Sequence, residues 1–463
     1  PEDYDPLSHS EVTLRSAVIS KDPSSLTAVG DGIVEAAAAH TVRVAWDNVS
    51  ATPGTELMGA VGLGTDRENP NNIGIIPVSF TRTGIDDPET LVLMDGVTRG
   101  FALAGNSEHN MAYVDVPPGT DTLTITAAGA DAAQNNNLTI DLYRQEFADA
   151  FANAPFATAP DTGGVPLVSI SGSGGNGPTV IVDGDVTPGR WFAVLRNGSG
   201  NSASVEMTAD MTYSGTPIVF RGGLWEPDNE NWGGTRTDLH QGYDYASTGS
   251  FRGFLWYTYG EDGTPTWYQA AAAEPGSNVW VAKVKRFTND GASQQKVVVG
   301  NVSVTVISEF EHIFSFTLFG EEGSDIMKTN SYPSTCPLVG ESPQSYTGLW
   351  SRSIDGLGGA SVLVNDVAQG YVHFIYDASG NPTWLQGGAL LDRTELNLRQ
   401  WTGNCPVCTG PVPDKVPVGT FNRDYTDETN MAWTLDYALN PPLSGVIERT
   451  DDTQKLTVRL DCQ

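Results

Sequence analysis

The sequence predicts an all-β chain of four consecutive β modules, two sandwich-like and then two repeated modules of antiparallel barrel or sandwich type. Three observations carry this expectation. Glycine (51) and proline (28) are plentiful, and both are costly inside helices but suited to tight turns. Short alternating runs recur between Gly, Pro, Asn and Asp, while the best helical candidate, GIVEAAAAHTV (Gly32–Val42), runs straight into the alternating VRVAW (Val42–Trp46). Finally, FLWYTYGEDGTPTWYQA (Phe254–Ala270) is answered by YVHFIYDASGNPTWLQG (Tyr371–Gly387), the mark of an internal repeat.

Residues 1–9 are an acidic, Pro-containing lead-in. From 10 to 90 the runs EVTLRSAVI, TVRVAW, ELMGAVGLG and IGIIPVSFTR suit a small β-sandwich. A second β unit spans 91–216, with strands HNMAYVDV, DTLTITAAG, NLTIDLYRQ, TVIVDGDV, RWFAVLRNG and SASVEMTADMTY, and Ala152–Pro178 as its long loop. The order NMAYVDVPPGTDTLTITAAG, NLTIDLYR, GRWFAVLRNGSGNSASVEMTADMTY resembles the bacterial pre-peptidase C-terminal domain, a jelly-roll-like sandwich that follows the catalytic domain of secreted proteases. Of that family's acidic pair before Leu-Tyr only Asp141 is present, which weakens any calcium role there. The stretch ELMGAVGLGTDRENPNNIGIIPVSFTR is similar to the closing strands of the fibronectin-III-like module that follows the catalytic domain of subtilisin-like proteases.

Beyond residue 216 the composition changes, with nine of the eleven tryptophans. Two copies, 217–335 and 336–463, account for this. Gly223-Leu-Trp225 matches Gly348-Leu-Trp350, the Tyr259–Trp267 hairpin matches Tyr376–Trp384, and Arg286-Phe-Thr288 matches Gln400-Trp-Thr402. The pair resembles a G-x-W…W-[FY]-x-Y-D-x-x-G-x-P-x-W repeat of secreted proteobacterial proteins, a resemblance that implies location more than chemistry.

In each hairpin an acidic residue early in the turn accepts backbone hydrogen bonds and Gly takes positive φ, while Pro265 and Pro382 suit a strand start. Before the turn the side chains alternate between faces. Leu255, Tyr257 and Tyr259 keep their character as Val372, Phe374 and Tyr376; Phe254, Trp256 and Thr258 become Tyr371, His373 and Ile375. Residues kept in both copies read as scaffold: Trp225, Tyr257, Tyr259 and Trp267, then Trp350, Phe374, Tyr376 and Trp384. The face that differs, led by Trp256 opposite His373, is the candidate binding face. Trp232 and the recurring Gln269 and Gln386 join it, since a buried glutamine needs partners that a ligand could supply.

The formal net charge of −31 repels phosphate backbones and argues against nucleic acid. It also offers carboxylates to Ca²⁺, for which Asp183-Gly-Asp185 and Asp228-Asn-Glu230 are the nearest approach to a loop; no other cofactor or metal motif is present. No run approaches the ~20 apolar residues of a membrane span. Cys336, Cys405, Cys408 and Cys462 lie in the last third. They read as two disulfides of an oxidising compartment, Cys405–Cys408 pinching a loop and Cys336–Cys462 joining the ends of the final module. The chain has no signal peptide or initiator Met, so Pro1 reads as a processing or fragment boundary.

No GTSMA-like serine context, G-x-S-x-G, H-E-x-x-H or P-loop occurs, and the six histidines, His9, His40, His109, His240, His312 and His373, are scattered singly. The expected role is therefore non-catalytic: an accessory region of a secreted bacterial protease or exoprotein that serves attachment to an extracellular polymer or cell surface and stability. The alternatives are a self-assembling extracellular subunit, whose partner is copies of itself, and a glycan-binding module.

Overall fold

A computed structural model of the chain describes residues 26–458 apart from 35–38, 47–50, 52, 53, 66–68, 70, 83–89, 152–164, 185, 219, 221, 229–237, 245–250, 292, 330–334, 353–357 and 409–412. The fold is all-β, as expected. At the N-terminal end β1 (Leu26–Val29) pairs with β2 (Arg43–Trp46), and β3 (Glu56–Leu63) with β4 (Gly74–Thr81), as two antiparallel ribbons. Trp46 and Phe80 hold the ribbons together, their ring centroids 4.5 Å apart.

The next ten strands build a two-sheet sandwich: β5 (Leu91–Val92), β6 (Arg99–Leu103), β7 (Ser107–His109), β8 (Ala112–Val116), β9 (Thr120–Gly129), β10 (Leu138–Gln145), β11 (Val168–Ser171), β12 (Thr179–Asp183), β13 (Gly189–Asn197) and β14 (Ala203–Tyr213). One sheet runs β11-β10-β13-β8-β5, with β7 also on β13, and the other runs β12-β9-β14-β6. β14 shows why the sequence folds this way. Ala203, Val205, Met207, Ala209 and Met211 alternate inward, and polar residues alternate with them. By contrast β13, GRWFAVLRN, is almost continuously buried. Its Trp191, Ala193 and Leu195 enter the sandwich core, while Phe192 and Val194 face a second apolar layer that includes Val281 of the following barrel. A strand covered on both faces loses the alternation of a half-exposed one.

Each copy of the repeat is a closed, eight-stranded antiparallel barrel. The first comprises β15 (Gly223–Pro227), β16 (Leu239–Asp244), β17 (Phe251–Tyr259), β18 (Pro265–Ala273), β19 (Val279–Asn289), β20 (Gln294–Val306), β21 (Glu311–Leu318) and β22 (Glu321–Thr329). A small ribbon, β23 (Leu338–Val339) with β24 (Ser342–Pro343), leads into the second. That barrel comprises β25 (Gly348–Arg352), β26 (Gly359–Val364), β27 (Ala368–Tyr376), β28 (Pro382–Leu390), β29 (Glu395–Thr402), β30 (Asp414–Tyr425), β31 (Asn430–Ala438) and β32 (Val446–Lys455). Pairing of β15 with β22 and of β25 with β32 closes the two cylinders and leaves neither with a free edge. Each is filled by its own apolar cluster.

A buried ion pair seats the sandwich on the first barrel. Arg190 of β13 is wholly buried and grips Asp115 of β8 through two hydrogen bonds of 2.8 Å. Its guanidinium lies 3.8 Å from the Tyr113 ring centroid and 4.5 Å from that of Phe151. It also donates to Ser324 Oγ of β22 at 2.7 Å. Removing one partner strands a buried charge, whereas removing both does not. Arg190→Met should therefore cost about 3–5 kcal/mol in urea unfolding, and Asp115→Leu/Arg190→Met should recover much of it. A double-variant loss as large as the two single losses added together would show that the pair does not act as a unit.

Candidate functional site: the aromatic faces of the two barrels

Both hairpins turn as their sequence requires. Gly263 and Gly380 sit at φ 78° and 73°, and Asp262 Oδ1 accepts the Thr264 amide at 3.0 Å. Pro265 and Pro382 open β18 and β28. The strands before the turns then divide their side chains between two apolar regions, neither of them open to solvent.

The face that differs between copies points into the barrels. Trp256, expected on a binding face, is 1% exposed and packs against Phe314 and Phe316, its Nε1 donating to Asp238 at 3.0 Å. His373 is 0% exposed, set edge-on to Phe421 and Trp433. The placement of these two on a ligand-facing surface is therefore corrected: closing the sheet turns every second residue of β17 and β27 into a filled interior. Trp232 lies outside the described residues. Gln269 is half-buried and donates to the Tyr243 hydroxyl at 3.0 Å, and Gln386 is half-buried in the matching place on β28.

The face that recurs is also buried, but between the barrels. Leu224, Tyr243, Leu255, Tyr257, Tyr259, Trp267 and Phe287 of the first barrel form one cluster with Leu349, Val372, Phe374 and Trp384 of the second; Tyr376 and Trp401 pack at its margin. Contacts come in reciprocal pairs. Trp267 Nε1 donates to the Ile375 carbonyl at 3.1 Å, and Trp384 Nε1 to the Thr258 carbonyl at 3.0 Å. Trp267 meets Phe374 and Tyr376, and Trp384 meets Tyr257 and Tyr259, all at ring separations of 5.5–6.1 Å. The Gly403 amide donates to the Gly263 carbonyl at 3.1 Å, and the Asn289 amide to the Gly380 carbonyl at 2.9 Å. These equivalences define a pseudo-two-fold axis between the barrels. The scaffold residues Trp225 and Trp350 lie elsewhere, in the two barrel cores.

Sequence reading missed the segment that straps this junction. The Ile33 amide donates to the Ser379 carbonyl at 2.8 Å, Arg286 reaches the Gly30 carbonyl and Asn381, and Asn381 reaches Asp31. Gly32 passes so close that a Cβ there would lie 2.7 Å from the Asn289 oxygen and 2.9 Å from that of Gly380. Burial pushes the Arg286 guanidinium down from its ordinary value, opposed by Tyr268, Asp31 and Asp377. From the other barrel the Cys405–Cys408 disulfide shapes a loop that buries Pro406 and lays Val407 against the first barrel's core. Cys336 is also disulfide-bonded, and Cys462 lies outside the described residues.

Among the described residues no group of three or more His, Cys, Asp or Glu is placed to hold a metal ion, and no helix is long and apolar enough to cross a membrane. Asp141 is engaged by Arg196 at 2.8 Å and by the Ser169 hydroxyl. Asp228 pairs with Lys328 at 3.4 Å; Asp185 and Glu230 lie outside the described residues. No known protein-family model matches the chain, and no curated protein is significantly similar to it in sequence.

Two interior histidines have chemical consequences. His312 stands 4.4 Å from Trp225 and 6.4 Å from His240 by ring centroids, and neither of its nitrogens has a hydrogen-bond partner. The nitrogens of His373 are likewise unpartnered, with Arg449 adding repulsion; Asp451 nearby is held by Arg352, Arg449 and the Trp433 indole. Burial pushes both imidazoles down to about 3 from an ordinary value of 6.5. Below pH 6.5 the unfolded chain takes up protons that the folded barrels refuse. Each histidine therefore lowers stability by up to about 1.4 kcal/mol per pH unit as pH falls from 6.5, and contributes nothing to the slope above it. Thermal unfolding between pH 6.5 and 4.5 should show a shallower pH slope in His312→Leu and His373→Leu than in the parent. An unchanged slope in both variants would count against proton exclusion by the barrel interiors.

Proposed function

We propose that this chain is a non-catalytic accessory region of a secreted bacterial exoprotein of the subtilisin-like protease type, serving stability and attachment to an extracellular polymer or cell surface. The observation that carries the reading is where the repeat's rings go. The recurring aromatics fuse two barrels and the differing ones fill them, so among the described residues these rings are buried in packing and form no flat exposed platform of the kind a glycan binder uses. Junctions at Arg190–Ser324 and at Gly32 join the sandwich and the N-terminal strap to the barrels. The pre-peptidase-like strand order and the disulfide-bonded Cys405–Cys408 and Cys336 suit an oxidising, extracellular setting.

One observation favours a second reading, self-assembly. Strands β11 and β12 end their sheets among the described residues, and Ile170 and Ile181 on them are exposed. Such edges can accept a strand from another chain.

The first reading is tested on the parent exoprotein with and without residues 1–463. Deletion should leave turnover of a small soluble peptide within about twofold, because the deleted part touches no reacting group, yet lower retention on insoluble protein or cell envelope roughly tenfold. Equal retention of both forms, or a gene with no catalytic domain upstream of Pro1, would sink it.

A further inference from the structure

A surface related to its partner by a two-fold axis is complementary to itself, which is the geometry of an isologous dimer. Here both halves belong to one chain, and their small differences say what else would fit. Tyr257 and Ser361 share a buried hydrogen bond of 2.7 Å across the junction. Leu255 pairs with Gln241 in the first barrel as Val372 pairs with Ser361 in the second. The pseudo-two-fold operation therefore carries Tyr257 onto Phe374 and Ser361 onto Gln241. Phe374 has no hydroxyl, and Gln241 is 0% exposed with its Oε1 lacking any hydrogen-bond partner. Leaving a buried acceptor unpaired is costly.

We infer that the aromatic face of the first barrel is a homotypic docking surface, and that its second partner is the same face of another copy of this chain. Pairing of two first barrels sets each Tyr257 hydroxyl against the other copy's Gln241 carbonyl, so both orphaned acceptors gain donors. The indoles of Trp267 then reach the Thr258 carbonyl of the opposite copy, in the place where Ile375 now accepts. Two second barrels gain nothing comparable, since Phe374 would face Ser361. In the closed monomer the tethered second barrel wins by its high effective concentration. Weakening it selectively should expose the preference.

The test uses the full chain in sedimentation velocity at micromolar concentration. Trp267→Ala and Trp384→Ala remove equivalent halves of the internal junction. Only Trp267→Ala also damages the face that two first barrels share, and does so twice. Trp384→Ala should therefore dimerise at least about tenfold more tightly than Trp267→Ala, and adding Gln241→Met to Trp384→Ala, which removes an acceptor used only between two first barrels, should reverse most of the gain. Trp267→Phe and Trp384→Phe, which keep an apolar ring and lose only the indole N–H, should show the same order if either alanine variant fails to fold. Monomers throughout, or equal dimerisation of the two sets, would overturn the inference.

Discussion

The architecture beyond residue 216 depends on one reciprocal interaction, an indole N–H from each barrel received by a backbone carbonyl of the other. A buried indole nitrogen must find an acceptor, and closure of each barrel ties most backbone acceptors into ladders. Trp267 and Trp384 solve this by reaching the backbone carbonyls of Ile375 and Thr258 on the opposite barrel. That reach brings β18 and β28 close enough for Tyr259 and Tyr376 to pack on the opposite indoles and for Gly263 and Gly380 to receive the amides of Gly403 and Asn289 from the opposite barrel. The turn glycines thus have two duties. They permit positive φ, and they allow a backbone approach that a side chain would block: a Cβ on Gly380 would fall within 1.9 Å of the Asn289 oxygen.

The other junctions are of different physical kinds. The sandwich meets the first barrel through a desolvated ion pair between aromatic rings, whose charges add little net stability, and through the apolar layer that Phe192 and Val194 share with Val281. The N-terminal strap meets both barrels through backbone hydrogen bonds and the absence of a side chain at Gly32. Aromatic burial supplies energy at the barrel junction, and the polar junctions set the positions of what surrounds it.

Much of this fold was legible in the sequence, and the site was legible only in part. Turn chemistry at Asp262-Gly263 and Gly380, the prolines at strand starts and the period of two in β14 all act locally, so they could be read locally. Duplication likewise told which rings matter to the scaffold. What could not be read was which face of β17 is interior. Its burial is continuous from Arg252 to Tyr259, because one face fills a barrel and the other meets a second barrel, and alternation carries no sign when both sides are apolar. Trp256 and His373 differ between copies for a packing reason: the two interiors are filled by different sets, Phe314 and Phe316 in one and Phe421 and Trp433 in the other. The strap was missed because Gly30, Gly32 and Ile33 act through backbone groups that composition does not mark, and Asp31 is one carboxylate among many.

Recurrence in a tandem repeat has a specific physical meaning here. An interior position serves one barrel, and it can change with its own neighbours. A position on the shared face serves a two-fold junction, and the equivalent residue on the other barrel must meet the same partner in mirrored roles, so large departures in either copy damage both. Small departures are tolerated at a definite cost, and Tyr257 against Phe374 is one. Loss of a single hydroxyl leaves the ring packed on Trp267 but strands Gln241 without a donor. The junction is thus less well satisfied than its own symmetry would permit, and the defect lies where the two copies differ, with Phe374 for Tyr257 and Gln241 for Ser361.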